Sequence, residues 1–442
     1  MQIHVRINEE GALHNQRYAF TDRFTLISEL LQNARRAGAT RIEIHYDAAA
    51  QVLLVHDDGC GLDDFQKLLS FHESGWNAAT RDEERPFGVG FSKCLYAATR
   101  CIVTSKHLLV EIDTAAALAK ASFAVEHMAE GIVGTRIELH GVDLPGLENR
   151  IETLCLGFPV SVVFNGTSLA RPLAAANLVT MDSPMGAVHL IGTRDGRHSH
   201  ATMVFLQGFC VKNLAYGPLD RVNVVHLDSR QFTARLPDRD KLIDEDVQGK
   251  RIEAELKACW HRTLEIAKIQ LTAERFVAIY YPVMRAWGHL DLLNDIDVLP
   301  AELCDDIVGY PIQDDSGGRD YVQQITKVPS RHAIEGGAVT LVSLDWVDDK
   351  NAAHWMWARA KGYLIFDWTG LPAGHWAKQH VRFLENESVQ VDAVSEQLRV
   401  QMEGRWIWPT VILCEAVRIR IGSEGVEITE LSARMTCSPR LF

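Results

Sequence analysis

The stretch TDRFTLISELLQNARRAG, residues 21–38, decides how the first third of the chain is read. Thr21 and Asp22 are helix start signals, Gly38 is a stop, and Phe24, Ile27, Leu30, Leu31 and Ala34 recur at helical spacing to give a broad buried face. Glu29 and Asn33 are four residues apart, so they stand side by side one turn from each other. Alone, such a pair is ordinary helix surface.

Downstream, RIEIHY at 41–46 and QVLLVH at 51–56 read as two short strands joined by the turn DAAA. The second runs directly into DDGCGL at 57–62. There Gly59 and Gly61 allow a sharp turn and a close approach to a ligand, while Asp57 presents a carboxylate at the strand end. A short helical pattern in DDFQKLLSF then gives way to about a dozen polar residues, a lid candidate. ERPFGVGFSK at 84–93 follows, with Gly88 and Gly90 placed where backbone amides and a helix start could meet an anion. CIVTS at 101–105 and GTRIELHG at 134–141 read as further strands.

Each signal is weak singly, but their order is specific: a helix bearing E-x-x-x-N, a strand ending in D-x-G-x-G, a lid, F-G-V-G-F-S, and G-T entering a strand. This resembles the ATP-binding domain of the GHKL superfamily, the Bergerat fold shared by gyrase B, the heat-shock chaperones of the ninety-kilodalton class, histidine kinases and MutL. ELLQNARRAGA, DDGCGL and FGVGFSKCLYAATRCIVTSK are most similar to the chaperone branch, and the resemblance covers roughly residues 1–175.

The resemblance implies ATP and Mg2+ as ligands and assigns roles. Glu29 matches the general base that activates water, and Asn33 the residue whose amide oxygen binds Mg2+. Asp57 matches the reader of the adenine amine, which favours ATP over GTP. Gly59 and Gly61 match the wall beside it, Gly88 and Gly90 the phosphate cradle, and Thr135 the hydroxyl supporting the aspartate. Ser92 and Lys93 are placed for phosphate contact. One departure stands out: many relatives carry an aspartate three residues after the asparagine, where this chain has Arg36.

Beyond this region, AVHLIGT, ATMVFLQGFCVKN and RVNVVHLD read as strands and RIEAELKACWHRTLEIAKIQL as a long helix, suiting a transducer-like domain. RLPDRDKL at 235–242 resembles the turn that sends a basic side chain to the γ-phosphate, making Arg239 the candidate and Lys241 the second. Trp346, Trp355, Trp357, Trp368, Trp376, Trp406 and Trp408 mark a separate aromatic-rich module, whose rings are read as core before recognition surface. RIRIGSEGVEI at 418–428 reads as a hairpin. The expected fold class is therefore α/β: a Bergerat-type two-layer α/β sandwich over 1–180, an α/β transducer-like domain over 181–292, and an α+β module over 293–442.

Composition bounds the partners. The chain has 442 residues and a formal net charge of −13, without a long basic run, which weakens a nucleic-acid or anionic-membrane partner. Nine cysteines without a C-x-x-C pair fit reduced thiols. MQIHVRINEEG lacks the pattern of a signal peptide, so the cytoplasm is expected. The short stretch before Glu29 disfavours a histidine kinase, and the length a gyrase B-type topoisomerase. The leading expectation is an ATP-hydrolysing, chaperone-like conformational switch, dimeric as the family implies, whose C-terminal module engages an unidentified protein. The alternatives are a nucleotide-gated scaffold with negligible turnover and a DNA clamp of the MutL or MORC kind.

Overall fold

The computed structural model describes residues 3–4, 8–16, 22–71, 73, 76, 80, 84, 90–213, 218–235, 240–309, 321–347, 351–401, 403, 410–429 and 436–437. The chain divides into two compact units, residues 1–193 with 198–259, and residues 194–197 with 260–442. It is mixed α/β throughout.

The first unit begins with α1 (Glu9–Gln16) and α2 (Thr25–Arg36), then β1 (Arg41–Asp47), β2 (Val52–Asp57), α3 (Ser92–Ala97), β3 (Arg100–Asp113), α4 (Thr114–Leu118), β4 (Val125–His140), α5 (Leu147–Cys155), β5 (Ser161–Phe164) and β6 (Thr167–Ser168). The strands form one sheet in the order β3-β4-β2-β1-β5-β6, antiparallel except for β1 beside β5. Ile42 and Ile44 of β1 and Leu53 and Val55 of β2 point inward, with charged residues between those of β1 turned outward. They meet Leu26, Ile27, Leu30 and Leu31 of α2, Leu95 of α3 and Ile151 of α5 in a continuous core, so helices cover one face of the sheet. Burial there pushes the Cys101 and Cys155 thiols up to about 12, leaving them inert apolar residues. The period of two puts Asp57 on the same inward face as Leu53 and Val55, at the point where β2 ends.

A second sheet in this unit has the order β10-β9-β11-β8-β7, from β7 (Met181–Ser183), β8 (Gly186–His189), β9 (Thr202–Leu206), β10 (Phe209–Asn213) and β11 (Asn223–Leu227). Every residue of β9 is buried, which explains its continuous apolar run, and β9 pairs in parallel with β11. The rings of Phe158, just past α5, and Phe209 lie 5.2 Å apart. Ala234 and Leu242 then form an isolated antiparallel bridge, and α6 (Glu245–Gln270) follows.

The second unit continues with α7 (Ala273–Trp287), β12 (Cys304–Ile307), β13 (Val322–Gln324), α8 (Arg331–Glu335), β14 (Leu341–Ser343), α9 (Ala352–Lys361), β15 (Leu364–Phe366), β16 (Val381–Phe383), β17 (Val389–Gln401), β18 (Thr410–Ile421), β19 (Glu424–Ile428) and β20 (Thr436–Cys437). A mixed sheet has the order β13-β12-β15-β14-β16, and β17-β18-β19 form a meander whose last turn is the hairpin read at 418–428. Trp355 and Trp357 of α9 are buried against Val417, Ile419 and Ile421 of β18. Trp376 is buried too, Trp368 is half-buried and Trp346 is 69% exposed, while Trp406 and Trp408 lie outside the described residues. Among the described residues, no helix is long and apolar enough to cross a membrane.

Candidate functional site

The end of β2 forms one side of the site. Asp57 is buried, and its Oδ1 accepts a hydrogen bond from the Gly59 amide at 2.9 Å. Burial pushes its carboxyl up from the ordinary value, while the Gly59 amide, the charge of His56 and the Thr135 amide work the other way. Thr135 pairs with Asp57 across β2 and β4. Gly134 has φ 73°, and a Cβ there would collide with the Asp57 carbonyl oxygen, so the G-T pair is required by close backbone approach as well as by conformation. Gly61 lies against Ser105 of β3, whose hydroxyl bonds the Gly134 carbonyl oxygen at 2.7 Å and the Leu62 amide at 2.8 Å.

Helix α2 forms the other side. Glu29 is 5% exposed although it lies on the side of α2 away from the stripe of Ile27, Leu30, Leu31 and Ala34, and Asn33 is half-buried one turn along. A Cβ on Gly90 would collide with Glu29 Oε2 and would lie 3.9 Å from Asn33 Nδ2. Gly90 therefore rests directly on the Glu29 carboxylate. Ser92 opens α3 and is buried; Lys93 is also buried, with its Nζ donating to the Asp22 carbonyl oxygen at 3.1 Å. The two sides meet where α2 ends, since the Cys60 amide donates to the Ala37 carbonyl oxygen at 2.9 Å. Glu29 and Ala37 are separated by about 12 Å along the helix axis, the scale of a nucleotide from base to terminal phosphate.

Arg36, at the position where the resemblance leads an acid to be expected, pairs with a carboxylate instead. Arg36 Nε and Arg35 Nη2 bond the same Glu84 oxygen at 2.8 and 2.6 Å. All three side chains are at most 19% exposed. Burial raises the Glu84 carboxyl, but bonds and charge from the two guanidiniums outweigh it and hold it below its ordinary value. Neither this clasp nor Ser105 carries a motif signal, because each joins residues distant in sequence, 48 positions for Arg36 and Glu84 and 43 and 29 for the bonds of Ser105 to Leu62 and Gly134. Gln207, at the β9–β10 turn with φ 55°, bonds Gln32 of α2 and is likewise without one.

The structure thus brings Glu29, Asn33 and Gly90 together, and separately Asp57, Gly59, Gly61 and Thr135. Lys241 is exposed, and its carbonyl oxygen accepts from the Arg235 amide at 2.7 Å. Gly88, Arg239 and most of the lid candidate lie outside the described residues. Among the described residues, no group of three His, Cys, Asp or Glu side chains could hold a metal ion.

No curated protein matches this chain. Residues 22–130 match the family model described as histidine kinase-, DNA gyrase B-, and HSP90-like ATPase. That span runs from the helix bearing Glu29 and Asn33, through the Asp57 turn and Gly90, into β4, and it identifies this part of the chain as an ATPase domain of the GHKL superfamily.

Proposed function

We propose that the protein is a Mg2+-dependent, ATP-hydrolysing conformational switch of the chaperone-like GHKL kind. The observation that carries the reading is the convergence of buried Glu29, Asn33 and Gly90, beside a turn that buries Asp57. In this reading the Asp57 carboxylate accepts the adenine amine, with Thr135 supporting it and Gly59 and Gly61 shaping the wall. Gly88, Gly90 and the start of α3 hold the phosphates, with Ser92 and Lys93 beside them. Glu29 takes the proton of the attacking water at its carboxylate, a contribution of about 10²–10⁴-fold.

The amide oxygen of Asn33, beside Gly90 and Glu29, suits Mg2+: the ion would be held through Asn33 together with phosphate oxygens and water. When bound it would offset phosphate charge. Arg239, with Lys241 as second candidate, is assigned the charge developing on the γ-phosphate.

We assign ATP binding to 1–180, a transducer-like role to 181–292 and partner binding to 293–442, in a cytoplasmic homodimer. The Gln207–Gln32 bond supports the transducer role, because it ties the second sheet to the helix that carries Glu29 and Asn33. Exposed Trp346, Leu398 and Leu413 support a protein-binding role for the last segment.

The test is phosphate release from Mg-ATP by the wild type and by Glu29→Ala, with nucleotide binding recorded for both. Turnover that vanishes in a variant still able to bind ATP supports the assignment; equal turnover in both removes Glu29 from the chemistry.

A further inference from the structure

Two residues six positions apart, Glu84 and Gly90, both lie against α2. Glu84 Oε2 accepts from Arg36 Nε at 2.8 Å and from Arg35 Nη2 at 2.6 Å, at the last turn of the helix. Gly90 lies against Glu29 and Asn33. Glu29, Asn33 and Arg36 stand at i, i+4 and i+7, so they share one stripe of α2. The two attachments are therefore about 10 Å apart along the helix axis.

The attachments differ in kind. The one at Glu84 joins ionised groups whose side chains are at most 19% exposed, so water competes little for its two charge-assisted bonds. Gly90 brings no side chain to its own contact. Its seat on Glu29 depends on what holds the chain on either side: buried Ser92 at the start of α3 after it, and Glu84 before it. Glu29 in turn meets Gly90 through Oε2, the atom with which a Cβ at that position would collide. A general base must keep its oxygen within hydrogen-bond reach of the proton that it takes.

We propose that Glu84, held by Arg35 and Arg36, is a positioning residue that keeps Gly90 seated on the Glu29 carboxylate and so fixes the oxygen that takes the proton of the attacking water. This inference rests on the assignment of Glu29 above. Its distinct content is that turnover depends on an ion-pair cluster that need not touch the nucleotide. Arg36, where the resemblance leads an acid to be expected, acts there through Glu84.

The experiment is steady-state phosphate release from Mg-ATP by the full chain, beside titration calorimetry with a non-hydrolysable ATP analogue. Both are run at a temperature where thermal melts show every variant folded. The proteins compared are the wild type, Glu84→Ala, Glu84→Gln, Gly90→Ala, the Glu84→Ala/Gly90→Ala pair and Glu29→Ala. A shift on the order of 1 Å at a reacting group costs about 10²-fold, so Glu84→Ala should lower kcat by about 10- to 100-fold while analogue affinity stays within about threefold. Glu84→Gln keeps an acceptor oxygen without the charge and should fall between Glu84→Ala and the wild type. The double variant should turn over no more slowly than the slower single one, because both disturb the same seat.

A clasp that serves stability alone would lower the melting temperature and leave kcat of the folded protein unchanged. Wild-type kcat in folded Glu84→Ala, a loss of affinity as large as the loss of kcat, or losses that multiply in the double variant would overturn the proposal. If Glu84→Ala does not fold, Glu84→Gln decides, and wild-type kcat there overturns it. Lost turnover in Glu29→Ala beside full turnover in Glu84→Ala removes Glu84 only. Full turnover in Glu29→Ala, or none in the wild type, removes the assignment of Glu29 and this inference with it.

Discussion

The two units bury different chemistry. Among the described residues, the charged residues buried as a whole are Glu29, Asp57 and Lys93, all within the first unit, beside buried Ser92 and Ser105. Among the described residues of the second unit, the buried polar ones are three histidines, His289, His354 and His375, and its core is built on tryptophans. Its ion pairs lie mostly at the surface, as in Arg418–Glu427 and Arg420–Asp392 across the meander. Burying a carboxylate is costly unless backbone donors or a partner compensate. The first unit offsets part of that cost at Asp57 through the Gly59 amide, whereas the second avoids it. A fold that holds ionised groups out of water near its glycine turns is arranged for a ligand; one that confines charge to its surface is arranged for packing.

This contrast can be broken by substitution. Trp357→Ala should have the largest effect on stability: the side chain is fully buried in the second core, and such truncations cost about 3–5 kcal/mol. Denaturant unfolding should show that loss, while ATP-analogue affinity stays at the wild-type value; a parallel collapse of affinity would mean that the two units do not fold as separable bodies. Gly90→Ala addresses the first unit. The added Cβ would displace the Glu29 carboxylate, which can swing away at little cost to folding. A displacement on the order of 1 Å at a reacting group costs about 10²-fold in turnover. Steady-state kinetics should show that drop with a small shift in melting temperature.

Glu84→Gln removes the charge that Arg35 and Arg36 share and should destabilise the first unit by about 1.5–3 kcal/mol, the range for hydrogen bonds to charged groups. The pH dependence follows from the lowered Glu84 carboxyl. A group with a depressed native value contributes fully above its ordinary value, here 4.5, and loses that contribution as pH falls through the lowered one. Wild type and Glu84→Gln should therefore converge in stability on acidification; a difference that persists in acid would show packing, not charge, at work. Arg420→Ala should matter least, about 1 kcal/mol or below, because both partners of its ion pair are half exposed. A larger loss would show that the surface pairs of the meander act as a network.

Much of the first unit is legible in its sequence. The α2 pattern depends on spacing of 3.6, and the strands of β1 and β2 on spacing of two, so local sequence carries both. The same alternation places Asp57 inward. The lengths of β3 and β4 were not readable, since CIVTS and GTRIELHG mark only the halves that pair most regularly; register shifts interrupt the rest between Ser105 and Leu108. The pairing of β9 with β11 was equally hidden, because an unbroken apolar run such as TMVFL does not name its neighbour.

The sequence by itself determined the motif order, and with it the resemblance that points to the ATPase domain and to the residues proposed for base, phosphate and water; the motifs are residue types at fixed short spacing, which chain chemistry dictates locally. Tertiary structure alone decided that Gly90 rests on Glu29, that Arg36 is matched by Glu84, and that Ser105 joins Leu62 to Gly134 of β4. The reason is physical. A hydrogen bond or close contact between distant segments is set by strand register and by how helices settle on the sheet, and both depend on packing summed over the whole core.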